Sequence, residues 1–438
     1  MPRFIDLYIR ELKNKRELLR NLLLTRSRLT LFESILPKYW RKLPSVEEFE
    51  GEIIAIDSSD ATIEHRGGIV IHICRALALS NKGREERELK VTPFYSVDSI
   101  NLTVFRNRMR EHLEHVLAIK CIEKLPSESR SVILIDGSLY GRMAHLPRDS
   151  EIPGYQDFIL DYINTYSELF RKAKRKNVLI IGISKDSRSR IYKRIILLEE
   201  LVKKLEKSLA KRDVIQQILK AWNILWRNPR HALEKIKEIK EVPPWVEEFF
   251  REALSPRPDA SLITSLIDKP GYTAPALLKT PAPALDSLAN AIKRGELEKY
   301  IERSFSNAIN DDVTVSMKAL TILPKILEYP SIITFYYLPE KRDIPIRVDI
   351  PAWSLDEDLE DFPRFSILKD PVYEIKTVLN ILSRLYAGPR HYNILMENVD
   401  FKVKLRMSDV LNIYEPILSK ELDFLIEHTR DMRRVRYP

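Results

Sequence analysis

The sequence predicts an α/β protein with a mixed β-sheet core and helical elements before, within and after it. Three stretches carry that expectation. Residues 51–60 (GEIIAIDSSD) place Ile53, Ile54 and Ile56 ahead of Asp57, a β-branched run that reads as a buried strand with Ser58, Ser59 and Asp60 as the turn after it. Residues 131–138 (SVILIDGS) repeat the pattern, with an apolar run ending in Asp136 and a small polar residue. Residues 177–183 (NVLIIGI) form a third apolar run, closed by Ser184-Lys185-Asp186-Ser187.

The remaining elements follow in chain order. Apolar positions at helical spacing between residues 5 and 36 predict one or two amphipathic helices ending near Pro37. Residues 67–79 and 89–94, joined by the charged turn 81–87, predict two hairpins that extend the first strand into an antiparallel meander. A helix over 104–122 turns Met109, Leu113, Val116, Leu117 and Ile119 inward, and a second spans 155–172. The order β-β-β-α-β-α-β is that of the ribonuclease H-like fold. Residues 191–250 read as Lys- and Glu-rich helices backed by Trp222, Trp226, Trp245, Phe249 and Phe250, a face read chiefly as packing. The proline-rich stretch 256–283 reads as a surface connection, with a turn at residues 270–273 able to approach a ligand. Strands are predicted at 312–323, 332–337 and 344–350, a solvated acidic loop at 355–362, and helices at 372–386, 392–403 and 415–430, before a tail with Arg433, Arg434 and Arg436. The organisation expected is an N-terminal helical segment (1–48), the first part of the core (49–190), a helical insertion with its connection (191–283), and a C-terminal part completing core and site (284–438).

Composition narrows the class. The 438 residues carry 72 Lys and Arg against 63 Asp and Glu, a net charge of +9 compatible with a polyanionic partner. Abundant charge with three Gln and two Cys fits a thermophile's intracellular protein. Two cysteines exclude a zinc site of the CxxC type and make a structural disulfide an unsuitable reading. The charged start is no signal peptide, and no run reaches the roughly 18 apolar residues of a membrane span, so a cytoplasmic protein is expected. HExxH, GxSxG and Walker A patterns are absent.

Either strand-end aspartate alone reads as a cap of a strand-to-turn transition; together they point to a metal site. Asp57 and Asp136 fall on neighbouring strands in this topology, and the helix between them offers Glu114, with Glu111 as the alternative one turn away. Oxygen-only ligation suits Mg²⁺ or Mn²⁺, and such a site assists attack of water on a phosphodiester. Lys185 is placed to hold a phosphate at the same end of the sheet, with Arg188 and Arg190 as further phosphate contacts.

The DSS, DGS and SKDS motifs, in this order and on strands, resemble the NurA nuclease family of archaea and bacteria. The resemblance implies a ribonuclease H-like core and a Mn²⁺-dependent nuclease that cuts single-stranded DNA and digests DNA ends from the 5′ side. It also implies a homodimer acting with the HerA hexameric ATPase in DNA-end resection, with the Mre11–Rad50 complex as a further partner. By position Asp57 and Asp136 match the metal aspartates, Glu114 the helix glutamate, and residues 184–187 the third motif. Many relatives carry Tyr-Pro followed, eight positions after the Tyr, by a His. Here Tyr392 precedes Asn393 and position 400 is Asp, so Asp400 is the candidate last ligand and His391 a second candidate for an acid or phosphate contact. The rivals are a ribonuclease H-like RNase or strand transferase and a non-catalytic DNA-binding adaptor. An actin-type ATPase would need glycine-rich phosphate loops, and the chain has only 11 Gly.

Overall fold

The computed structural model describes residues 3–23, 30–126, 130–208, 211–225, 228–355, 363–369 and 373–430. The chain divides into two compact units, one of residues 1–42, 187–274 and 340–345, the other of 43–186, 275–339 and 346–438. The expected acidic loop, the arginines of the C-terminal tail and Trp226 lie outside the described residues.

The larger unit holds the sheet. Strands β1 (Ile53–Glu64), β2 (Ile69–Ser80) and β3 (Glu85–Tyr95) form the meander, and helix α1 (Ser99–Lys124) follows. Next come β4 (Ser131–Asp136), the short helix α2 (Leu139–Met143), α3 (Phe158–Arg175) and β5 (Val178–Ser184). Beyond residue 275 lie β6 (Ala276–Leu278), α4 (Asp286–Lys293), α5 (Leu297–Ser304), α6 (Thr314–Ile322), β7 (Ile332–Leu338), β8 (Ile346–Pro351), β9 (Phe365–Ile367), α7 (Tyr373–Leu385), α8 (Ile394–Val403) and α9 (Glu415–Glu421). Within this unit the strands lie in the order β9-β6-β7-β8-β5-β4-β1-β2-β3. The pairs β1–β4 and β4–β5 are parallel and the others antiparallel. The central strands β4, β5, β7 and β8 are buried almost throughout, as their continuous apolar runs require.

Two departures from expectation bear on the site. Residues 58–60 are not a turn, because β1 continues to Glu64 with β2 paired along its whole length, to Glu64↔Val70. The parallel ladder with β4 ends at Ile56↔Ile135, so Asp57 lies where β1 outruns its neighbour. The stretch 312–323 is the helix α6: the Asp312 carboxylate accepts from the Thr314 amide at 2.9 Å, and Val315, Ala319 and Ile322 are buried at helical spacing. Its β-branched start imitates a strand, but Lys318 reaches Asp157 and Asp161 of the α3 region and fixes the helix there.

Other differences are local. The proline-rich stretch contains the helix Asp259–Leu266 and, at the expected ligand-binding turn, a strand Gly271–Thr273 paired with Trp40–Arg41. The C-terminal helix stops at Glu421; Asp423 turns at φ 51° and the chain reaches an antiparallel bridge between His428 and His65. The N-terminal segment makes three helices, Phe4–Asn14, Arg16–Leu23 and Thr30–Ile35, and a 3₁₀ turn, Leu36–Tyr39. Four further helices occupy Ile191–Lys207, Arg212–Ile224, Pro229–Glu238 and Trp245–Leu254 in the smaller unit, where Trp222 stacks edge-on against Phe250 at 4.9 Å. Among the described residues no helix is long and apolar enough to cross a membrane.

One close approach locks the loop after β4. A Cβ on Gly182 of β5 would stand 2.7 Å from the Gly137 carbonyl and 2.8 Å from Leu139. Gly182→Ala is therefore expected to destabilise the protein by about 1–3 kcal/mol through overpacking, read as a lower urea midpoint with an unchanged slope.

Candidate metal centre

Asp57 and Asp136 each follow the last pair of the β1–β4 parallel ladder, so they occupy equivalent positions on adjacent strands and project to the same face. After Asp136 the chain turns through Gly137 at φ 98°, a conformation open to glycine at little cost. Ser138 then caps α2, its Oγ accepting from the Gly141 amide at 2.9 Å and donating to Asp349 Oδ2 at 2.6 Å. Asp349 is fully buried on β8, and its other oxygen accepts from Thr334 Oγ1 at 2.7 Å and Arg347 Nε at 3.0 Å. A fully bonded carboxylate thus ties the loop that carries Asp136 to the neighbouring strands.

Helix α1 lays Glu114 over this end of the sheet. Glu114 is 2 % exposed; Oε1 accepts from Ser58 Oγ and Oε2 from Arg142 Nη2. Arg142, on α2, also donates to the Asp136 carbonyl at 2.7 Å, and its Nη1 lies 2.9 Å from His115 Nε2. A guanidinium has no acceptor, so His115 Nε2 must accept and its proton sits on Nδ1. Burial, then the Arg142 charge, holds the His115 pKa well below its ordinary value, in keeping with a neutral ring. Burial opposes the Arg142 charge, but Glu114 and Glu111 more than restore it and its pKa stands above normal. Glu114 itself is raised, burial outweighing Arg142.

The remaining predicted residues divide into two groups. Lys185 Nζ stands 3.8 Å from Asp136 Oδ2 and 5.6 Å from the centre of the Tyr392 ring. The Tyr392 hydroxyl is pushed well above its ordinary pKa by burial and by Asp136, Asp57, Glu397 and Asp400, and stays a proton donor. Asn393 caps α8, its side-chain oxygen accepting from the Met396 amide at 3.0 Å. The other end of α8 is pinned where Arg75 donates to the Val403 and Lys404 carbonyls and Ser59 Oγ accepts from the Leu405 amide. Asp400, on this helix, is exposed and within electrostatic reach of Asp57. Glu111 turns to α3 instead, accepting from Tyr162 Oη at 2.7 Å beside His145 Nε2, also at 2.7 Å, and its pKa falls to about 2 as these bonds overcome burial. His391 faces Glu397, its Nδ1 2.7 Å from Oε2. Arg188 and Arg190 belong to the smaller unit.

Asp57 carries the electrostatic consequence. It is 3 % exposed, and burial, then Glu114, Asp136 and Asp400, push its pKa up to about 8 against a single opposing bond from the Ser58 amide at 2.7 Å. Among the described residues no three metal-ligating side chains are already drawn into a closed clasp. Both Glu114 oxygens are engaged, by Ser58 and Arg142. The donor chemistry nevertheless fits a hard divalent cation: the donors are carboxylate oxygens, and burial, then the charges of Glu114 and Asp136, makes the Asp57 carboxyl ionise with difficulty.

Arg142 and Asp349 escaped the sequence reading. Arg142 follows the DGS motif by four residues and Asp349 lies in a β-branched run, and neither position has a distinguishing pattern of its own.

These features define an α/β protein with the element order of the ribonuclease H-like class and an acidic centre suited to a divalent ion. The model of the NurA domain matches residues 51–393, and the chain belongs to the NurA family of nucleases. Its fold is similar to the crystal structure of the NurA nuclease from Sulfolobus solfataricus, with a TM-score of 0.54 at 14% identity over 97% of this chain and 98% of that one. A crystal structure of NurA bound to dAMP and manganese matches with a TM-score of 0.45 at 15% identity over 93% of this chain and 97% of that one. No curated protein matches it in sequence.

Two outcomes are expected. Between its unfolded pKa near 4 and about 8, Asp57 binds more protons folded than unfolded, so metal-free stability falls as pH rises through that window. His112, pushed down to about 4 by burial, acts oppositely but only below about pH 6.5. Melting temperature in chelator should therefore drop between about pH 6.5 and 8, and Asp57→Asn should reduce that slope. Arg142→Met should cost about 3–5 kcal/mol by leaving Glu114 buried and unpaired, and pairing it with Glu114→Gln should recover much of the loss in a denaturant titration.

Proposed function

We propose that this chain is a metal-dependent DNA nuclease. Family membership supports the reaction class, and the electrostatic action of Glu114, Asp136 and Asp400 on the buried Asp57 is the observation that supports this set of residues. In this reading those four carboxylates hold one or two Mn²⁺ ions, with Mg²⁺ as the alternative. When bound, such an ion would supply Lewis-acid polarisation of the scissile phosphate and lower the pKa of the attacking water. Lys185 steadies the phosphate beside Asp136, and Tyr392, kept protonated, donates to substrate or water. Arg142 holds Glu114 and the Asp136 backbone in one frame, and burial of Asp57 and Glu114 strengthens their electrostatic contacts.

The finer activity follows from the family resemblance. It comprises endonucleolytic cutting of single strands and 5′–3′ digestion of single- and double-stranded DNA, in end resection for homologous recombination. A homodimer, a HerA-type ATPase and the Mre11–Rad50 complex are the proposed partners, with the 191–283 region as the segment that builds the dimer or docks the ATPase.

The test uses labelled DNA, RNA and hybrid substrates side by side with Mn²⁺. Asp57→Ala should lose DNA cleavage by at least about 100-fold with unchanged circular dichroism, in keeping with removal of a charge-stabilising group. Undiminished cutting would overturn the site, and preference for RNA or hybrid would overturn the substrate class.

A further inference from the structure

Helices α4 and α5 of the larger unit pack together and leave a groove of about 320 Å³. Ser287, Asn290 and Arg294 line one side, Lys299, Tyr300 and Arg303 the other, each set spaced as one helix face. Glu296 is the one acid in the wall. The acids of α5 itself sit elsewhere. Glu298 and Glu302 each precede a groove cation by one residue, about 100° round the helix, and neither lines the groove. Among the described residues Arg294, Lys299 and Arg303 form no ion pair, so three positive charges face one negative. The Arg303 guanidinium carbon stands 5.8 Å from the centre of the Tyr300 ring, and the Tyr300 hydroxyl donates to the Pro147 carbonyl at 3.2 Å.

Pro147 belongs to the loop that leaves α2, the helix of Arg142. The Asp149 amide fastens this loop to α5 by donating to the Ser304 carbonyl at 2.8 Å. Five residues separate Pro147 from Arg142, so their Cα atoms stand within about 18 Å of each other. Arg148, next in the loop, is exposed, and its charge reaches Arg108 on α1. Burial lowers the Arg108 pKa, Tyr162 opposes this, and Arg148 adds to the lowering. The Arg108 Nε is buried with no hydrogen-bond partner among the described residues. Glu111, which also acts on Arg108, already accepts from Tyr162 and faces His145. Cations without ion pairs thus lead from the groove to the helix that bears Glu114.

We propose that the groove, continued by Arg148 and Arg108, is a track for one strand of nucleic acid, with its phosphates on Arg294, Lys299 and Arg303. Lys299 and Arg303 are one turn apart, about 6 Å along the helix axis, a separation that neighbouring phosphates of an extended strand match. That the strand continues into the acidic centre rests on the nuclease reading; the groove's affinity for a strand does not.

The test is fluorescence anisotropy of Asp57→Ala protein in chelator, with a labelled single-stranded oligonucleotide of about 20 nucleotides and with polyglutamate. The groove variant adds Arg294→Ala, Lys299→Ala and Arg303→Ala, all exposed. Oligonucleotide affinity should fall at least about tenfold, and the salt dependence should lose about two units of slope, at about 0.7 for each of three phosphate contacts. Unchanged oligonucleotide affinity and slope overturn the track, and a loss confined to polyglutamate overturns it in favour of an acidic protein partner. If the triple variant melts lower than its parent, Lys299→Glu alone decides: weaker oligonucleotide binding supports the track and unchanged binding overturns it. With Asp57 intact and Mn²⁺ present, the groove variant should raise KM for the oligonucleotide at unchanged kcat. A fall in kcat at unchanged KM overturns the continuation into the centre. Failure of the nuclease reading would appear separately, as cleavage that survives Asp57→Ala, and the binding arm would still decide the groove.

Discussion

The structure around the acidic centre depends on confining like charges on adjacent strands. In-register neighbours in a sheet stand about 5 Å apart, and at an effective dielectric of about 20 two full charges at that distance repel by about 3 kcal/mol. The contrast between Asp57 and Asp60 shows how the protein distributes the compensation. They are three residues apart on β1, so alternation turns them to opposite faces. Asp60 meets His72, Arg106 and Arg110, and although burial acts against it, those bonds bring its pKa down to about 2. Asp57 rises to about 8, through burial first and then the charges of Glu114 and Asp136. Asp349 is as buried as either, yet its partners Ser138, Thr334 and Arg347 engage both oxygens. Two of these carboxylates are therefore structural struts, and the one left without a cation stands in the site.

Backbone pairing explains why the site forms at this point. The parallel ladder must end at Ile56↔Ile135 because β4 turns through Gly137, while the hairpin with β2 carries β1 eight residues farther. The extension supplies a platform of its own. Ala61, Ile63 and Ile73 cluster with Leu405, Val410 and Ile426 from the C-terminal segment, and α8 lies across β1 and β2. The far half of the hairpin thus fixes the helix that bears Asp400, a residue some 340 positions away in sequence.

The strands and helices of the sheet were legible because their apolar periods are strong: β4 matches the predicted 131–136, and β1, β5, β7 and β8 lie within a few residues of expectation. What failed depended on tertiary partners. No local pattern could show that 58–60 stays extended, since a partner strand more than ten residues on decides it. The α6 stretch begins Asp-Val-Thr-Val-Ser, and its β-branched start hides the helical spacing of Val315, Ala319 and Ile322. The acid set was readable as residue types at strand ends. Its buried counter-charge was not, because Arg142 becomes significant only when α2 folds it beneath Glu114.

The C-terminal departure from the family pattern has a structural and an electrostatic side. Asn393 supplies the side-chain cap that starts α8, a bond that proline has no side-chain acceptor to make. Asp400, two turns along α8, adds negative charge that acts on Asp57. Under the proposed reading, Asp57, Glu114, Asp136 and Asp400 bring four negative charges when ionised. Arg142 offsets one from beneath, Lys185 offsets another at the rim, and a single divalent ion balances the remaining two. An acid in place of a neutral imidazole therefore raises the centre's demand for a hard cation, and it moves the donor set further towards the all-oxygen chemistry that Mn²⁺ and Mg²⁺ favour.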